Sequence, residues 1–196
     1  AGCMGFALLL NERILMKREA SEGLYSEVAW AVASLLVDVP LNLAGAVLNV
    51  VIMLIFAQLP ESLARTTFQW AILLFFVYDS LFAFLGAMAR DVRQAQVLAT
   101  PVVSIFMLCN GLVVAKKDAH IMLQWIFDIS PNAYAMSAIV RTLAEEATWS
   151  DELLLTYLCS GEEFDPTRGV VVMITMILLL RVGQSLGLIF LNQPQR

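Results

Sequence analysis

Phe68–Ala89 reads FQWAILLFFVYDSLFAFLGAMA, an apolar run of membrane-spanning length whose one charge is Asp79. A helix needs about 20 mostly apolar residues to cross a hydrocarbon core about 30 Å thick at about 1.5 Å per residue. About ten of these residues are strongly apolar, each favouring insertion by roughly 0.3–0.6 kcal/mol, against roughly 2.5–3.5 kcal/mol opposing it for a central Asp. The segment therefore inserts with its carboxylate in place. Similar runs extend to both sides: Val28–Leu59, long enough for a span with an interfacial lead-in, the uncharged Ala95–Ala115, and Gly169–Leu191. Ala1–Leu10 reads as the end of a further span, so the chain is expected to be a fragment cut within a membrane helix.

The composition points the same way. Of 196 residues, 60% are apolar and 15% charged, and the mean hydropathy is +0.77. A soluble domain is nearer 45–50% apolar and about 25% charged, and could not hide this much apolar surface in one small core. The net charge of -5, with Lys and Arg scattered, argues against nucleic acid as a partner. Cys3, Cys109 and Cys159 are too few for a disulfide framework and lack metal-site spacing. No basic, cleavable leader is visible at the start.

One apolar stretch does not read as a span. Ile121–Ala144 is broken by SPNAY at Ser130–Tyr134, and Pro131 disfavours helix immediately before it. A partly inserted, re-entrant hairpin is expected, covered by protein or water. The long loop Glu145–Arg168 carries Glu145, Glu146, Asp151, Glu152, Glu162, Glu163 and Asp165, and is expected outside. Alternation then puts Asn11–Ser26 and Arg90–Gln94, with Arg13, Lys17, Arg18, Arg90 and Arg93, on the cytosolic side. Lys116, Lys117 and Arg141 fall on the other side and run against that rule.

Three charges lie within apolar runs: Asp38, Asp79 and Arg181. Such groups usually face a bundle interior or a polar cavity. Asp79 reads either as a substrate- or proton-handling group, or as a helix–helix hydrogen-bonding partner. Asp38 precedes Pro40 and so sits near an expected kink. Arg181 is read as snorkelling to the cytosolic interface on its long stem. VYDS at Val77–Ser80 is similar to half of the intramembrane aspartyl protease signature, but the second half, Gly-x-Gly-Asp, is missing, and such chemistry needs two carboxylates. His120, the single histidine, lacks ligand spacing. Neither a Walker A loop nor a nucleophile elbow occurs.

Between two apolar runs stands NERILMKREASEGLYS, Asn11–Ser26. As a helix it is amphipathic. Arg18 and Glu22 form a good i,i+4 pair, while the remaining charges lack such partners on the same helix. Gly23 is placed to end or bend it, and Tyr25 and Trp30 suit the membrane interface. The segment reads as a solvated cytosolic loop or as a docking helix.

This segment resembles the pattern E-R-x-x-x-x-R-E-x-x-x-G-x-Y-S of the ABCG (White/PDR) transporters. Further segments follow in the family's order: VDVP at Val37–Pro40, NGLVV at Asn110–Val114, SPNAYAMSAIV at Ser130–Val140 and CSGEEF at Cys159–Phe164. The resemblance covers nearly the whole chain. It implies residues 1–196 are a partial ABC-2 type transmembrane domain, with 11–26 a cytosolic coupling-helix loop and 116–168 an external loop holding the re-entrant segment. The implied fold is an all-α polytopic bundle of about five spans, the first truncated. A nucleotide-binding domain upstream in the same polypeptide would bind ATP and Mg, and the chain itself would not be an enzyme. Glu12, Arg13, Arg18 and Glu19 would meet that domain.

A second transmembrane domain, in a homo- or heterodimer or as the other half of a full transporter, would complete a central cavity. Ser104, Phe106, Met107 and Asn110 would line it, with Leu112 and Val113 as the apolar constriction above. Ordinary helix packing is the alternative role for these residues. The last external loop holds Cys159 alone, where the family often carries several cysteines, which leaves an intersubunit Cys159–Cys159 bridge or a free thiol. SPNAY also departs from the family's Asn-Pro order. The implied function is ATP-driven export of lipids, sterols or amphipathic compounds by alternating access, in the plasma membrane or an endomembrane. A membrane-embedded enzyme using Asp79 and a non-transporting scaffold are the competing readings.

Overall fold

The computed structural model describes residues 15, 19, 22–24, 27–57, 60–89, 91–110, 120–121, 124–147 and 165–190. Ala1–Leu10, Glu12, Arg13, Arg18, Leu112, Val113, Cys159 and most of the acidic loop lie outside them. The described residues form six helices: α1 (Glu27–Ala57), α2 (Glu61–Met88), α3 (Val92–Leu108), α4 (Gln124–Ile129), α5 (Pro131–Ala147) and α6 (Pro166–Phe190). Segments of α1, α2 and α6 are long and apolar enough to cross a membrane: Val39–Ala57, Glu61–Met88 and Pro166–Gly187. The chain is a multi-pass, all-α membrane bundle. α3, with 17 residues, is a shorter apolar helix.

The helix ends follow from local chemistry. Asp165 begins α6: its carboxylate accepts the Thr167 amide at 2.9 Å, and Pro166 fills the first helical position, where a missing N–H costs nothing. Pro131 opens α5 in the same way, with Ser130 just before it and α4 ending at Ile129. The expected break at SPNAY is therefore a junction between two helices. The Tyr134 hydroxyl, donating to the Asp128 carbonyl at 2.8 Å, holds the junction from the α5 side. α1 stays helical through Pro40. α3 ends at Leu108 rather than continuing to Ala115; Cys109 leaves helical geometry, just ahead of Asn110-Gly111, a turn-forming pair.

Gly23 behaves as its position in the sequence suggests. Its φ is +76°, and the Leu24 amide donates to the Glu19 carbonyl at 3.2 Å. Leu15 and Glu19 are helical. A left-handed glycine under a bond spanning six residues is the Schellman way of closing a helix.

α2 is the centre of the bundle, packed by α6 and α5 and flanked by α1 and α3. Trp70, Val77, Ala135, Ala138 and Met173 form one core, joining α2, α5 and α6. Leu81, Leu85, Ala89, Ala95 and Ala99 form a second, joining α2 to α3, with Phe84, Phe106 and Leu180 against it. α2 and α6 run parallel: Trp70 meets Gly169, Ser80 meets Arg181, Phe84 meets Gly183 and Ala87 meets Gly187. Gly183 and Gly187, one turn apart, remove the side chains that would hold the helices apart. A Cβ at Gly183 would lie 2.8 Å from Phe84 Cε2, and one at Gly169 2.8 Å from Trp70 Cη2.

The outer faces are apolar and open. α1 buries Ala46 and Val50 while leaving Leu41, Leu48, Ile55 and Phe56 exposed, and α6 exposes Leu178, Leu179 and Val182. Surface of this kind faces lipid or further membrane protein.

Candidate functional site

The most polar place within the membrane-length helices lies between α2 and α6. Arg181 Nη2 donates to Asp79 Oδ2 at 2.5 Å. Its Nε donates to Ser80 Oγ at 3.2 Å and its Nη1 to Gln184 Oε1 at 3.1 Å. All three guanidinium nitrogens are thus engaged, and the Arg181 side chain is only 11% exposed. This corrects the snorkelling reading. The arginine turns inward, because parallel packing brings Asp79 within its reach and an intramembrane charge is best neutralised by an opposite one.

The pairing favours the helix–helix reading of Asp79. A guanidinium is charged at every physiological pH, so it offers the Asp79 carboxylate an opposite charge across the interface. A catalytic dyad needs two carboxylates sharing a proton. Here the partner is an arginine, and the geometry supports helix–helix attachment.

The second polar cluster joins α3 to the α4–α5 junction. Phe106 is the first residue of α3 whose carbonyl lies beyond the closing bond from the Cys109 amide to the Ile105 carbonyl. In a membrane such a group must find a partner. Asn132 Nδ2 donates to the Phe106 carbonyl at 3.1 Å and reaches Met107 Sδ at 3.5 Å, while Ser130 Oγ lies 3.4 Å from the same carbonyl. Asn132 is 8% exposed and Ser130 fully buried. The buried Tyr78 hydroxyl of α2 faces the same Asn132 side chain without ideal hydrogen-bond geometry.

The sequence-derived cavity residues divide between faces of α3. Val92, Ala95, Ala99, Val102 and Phe106 turn inward to α2. Thr100, Ser104 and Met107 are exposed on the outer side with Val97 and Leu108, and Asn110 is half-buried beyond the helix end. The Thr100 hydroxyl donates to its own helix, to the Gln96 carbonyl at 2.8 Å. Phe106 therefore packs in the bundle, and its backbone rather than its ring is the tied group. Of the coupling residues, Glu19 alone is described, half-buried on a helical turn. Among the described residues no three His, Cys, Asp or Glu side chains are grouped to hold a metal.

Sequence reasoning missed Ser80, Gln184 and Asn132 as partners, and the Gly183-x-x-x-Gly187 contact. The glycine spacing was the available signal for α6. Nothing local marks Asn132, since its partners lie on other helices.

Comparison with known proteins gives the geometry a context. Residues 1–143 match the ABC-2 type transporter family. ABC multidrug transporter atrH of Aspergillus oryzae is 26% identical over 171 residues, covering 84% of this chain and 11% of that protein. ABC transporter G family member 31 of Arabidopsis thaliana is 26% identical over 200 residues, covering 94% of this chain and 14% of its own length. ABC multidrug transporter G of Aspergillus fumigatus is 24% identical over 130 residues, covering 65% and 10%. The chain thus spans roughly a tenth of the length of these relatives. With a family match over most of its length and an apolar helical bundle built to span a membrane, the chain belongs to the ABC-2 type transporter family.

Proposed function

We propose that this chain is the membrane-spanning permease domain of an ABCG-type exporter that moves lipids, sterols or other amphipathic compounds by alternating access. An ABC-2 type transmembrane domain is a non-catalytic transport module. In the proposed protein, ATP and Mg are bound by a nucleotide-binding domain upstream in the same polypeptide, and residues 11–26 carry its motion through Glu12, Arg13, Arg18 and Glu19. The left-handed Gly23 and the Leu24–Glu19 bond support a helix that stops there.

The observation that carries the substrate class is the outer face of α3. It is uncharged from Ala95 onward and apolar apart from Gln96, Thr100 and Ser104, with Asn110 at its end. Pockets for amphipathic ligands are mostly apolar with a few placed polar groups. In this reading Ser104 and Met107 face a cavity completed by a second transmembrane domain, Leu112 and Val113 close it above, and residues 116–168 form its external cover. Two of the relatives are named as multidrug transporters, which favours a broad amphipathic substrate range.

The test is Glu12→Lys in the full-length protein. We expect normal membrane insertion and ATP hydrolysis with loss of export of a fluorescent amphipathic dye. Undiminished export would remove the coupling role.

A further inference from the structure

Among the described residues, Asn132 is the side chain through which the α4–α5 junction grips α3 at two consecutive residues. Its amide takes up the Phe106 carbonyl at 3.1 Å and the Met107 sulfur at 3.5 Å, and it is more than nine-tenths buried. Ser130, two residues away, reaches the same carbonyl at 3.4 Å. Pro131 occupies the first position of α5, and Asn132 follows one residue into the helix. The carbonyl it caps belongs to the last turn of α3, the part of that helix with fewest backbone bonds of its own.

We propose that Asn132 is a positioning residue for transport: it fixes the rotation of the last turn of α3, so that Ser104 and Met107 face outward, and makes that turn move together with the α4–α5 junction. This rests on the reading of the outer α3 face as the substrate surface. The Tyr78 hydroxyl of α2 is buried beside this cluster. Losing the amide donors leaves the Phe106 carbonyl with the longer Ser130 contact alone among those described, which loosens the turn and shifts Ser104 and Met107 relative to substrate. Affinity therefore changes before turnover does.

The experiment uses the full-length protein in sealed proteoliposomes with rhodamine 6G as the transport probe. Asn132→Leu keeps the branching and the number of side-chain heavy atoms, with bulkier methyl groups, and removes both donors. We expect the KM for the dye to rise about fivefold, the size of one lost hydrogen bond, with basal ATP hydrolysis and the amount of inserted protein unchanged. A cysteine introduced by Ser104→Cys in a background without other reactive thiols should change its labelling rate when Asn132→Leu is added. Ser130→Ala, the milder variant, should shift both readouts in the same direction by about twofold and serves if Asn132→Leu does not insert. Unchanged KM and unchanged labelling, with a wild-type protein that exports the dye, would overturn the positioning role alone. A wild-type protein that hydrolyses ATP yet exports no amphipathic probe would instead overturn the substrate-surface reading, and this proposal with it.

Discussion

Arg181 on α6 and Asp79 on α2 are joined at 2.5 Å within helices long and apolar enough to cross a membrane. Each lies well inside its helix rather than at an end. Removing one partner leaves the other charged and uncompensated. Arg181→Met or Asp79→Leu alone should lower stability by about 3 kcal/mol, the low end for a buried pair because the Asp79 side chain keeps 26% exposure. The double variant Asp79→Leu/Arg181→Met should recover most of the loss. Unfolding midpoints of the purified protein in detergent check this, and single variants as stable as wild type would mean the pair contributes nothing.

The α2–α6 contact predicts a contrast between glycines. A Cβ at Gly183 would press on the Phe84 ring at 2.8 and 3.0 Å. Gly183→Ala should therefore cost about 1–3 kcal/mol through overpacking, with relief in Gly183→Ala/Phe84→Leu. Gly45, within α1, has nothing within 4 Å of its would-be Cβ, and Gly45→Ala should be neutral or stabilise by up to about 1 kcal/mol through helix propensity. Equal effects at the two positions would show that close packing does not decide the outcome.

At Gly23 the backbone, not the surroundings, sets the expectation. Its φ of +76° and the open space around it mean that Gly23→Ala meets no clash yet carries a left-handed strain of about 1–2 kcal/mol. Amide exchange at Leu24, whose N–H is held by the Glu19 carbonyl, should speed up by about tenfold or more in that variant. Gly23→Asn should fall between the two. Exchange at Leu24 that does not change would place the end of the helix elsewhere.

On the proposed substrate face, Ser104→Trp should reduce dye export several-fold while basal ATP hydrolysis persists, because the residue is exposed on α3 and a bulky ring fits there without disturbing the core. Val102→Trp, half-buried against α2, should instead lower the amount of folded protein. If both variants lose folding alike, the outer face of α3 is a packing surface.

The helices were legible where a single span was long and apolar. Phe68–Ala89 falls inside α2 but for its last residue, and Gly169–Leu191 largely coincides with α6, because crossing a membrane needs only length and hydropathy. The break at SPNAY was also readable, since Pro131 acts on its own neighbours. Membrane insertion of that junction is a separate matter; three helices reach membrane length among the described residues, and Ala1–Leu10, the expected truncated span, lies outside them. The partner of Arg181 was not readable. Asp79 lies about a hundred residues away in sequence, and the pairing exists only because α2 and α6 run parallel and close. Asn132 was hidden for the same reason: the carbonyl it serves is orphaned by where α3 stops, and the end of that helix was placed too late along the chain.

The glycine contacts between α2 and α6 also restrict how those helices can travel. Sliding one past the other by the rise of a single residue, about 1.5 Å, would carry Gly183 off the Phe84 ring and would draw Arg181 away from Asp79 and Ser80 together. The two helices are keyed like a shaft in its slot. In the proposed transporter they would travel as one unit, leaving relative motion to the helices that lean on them.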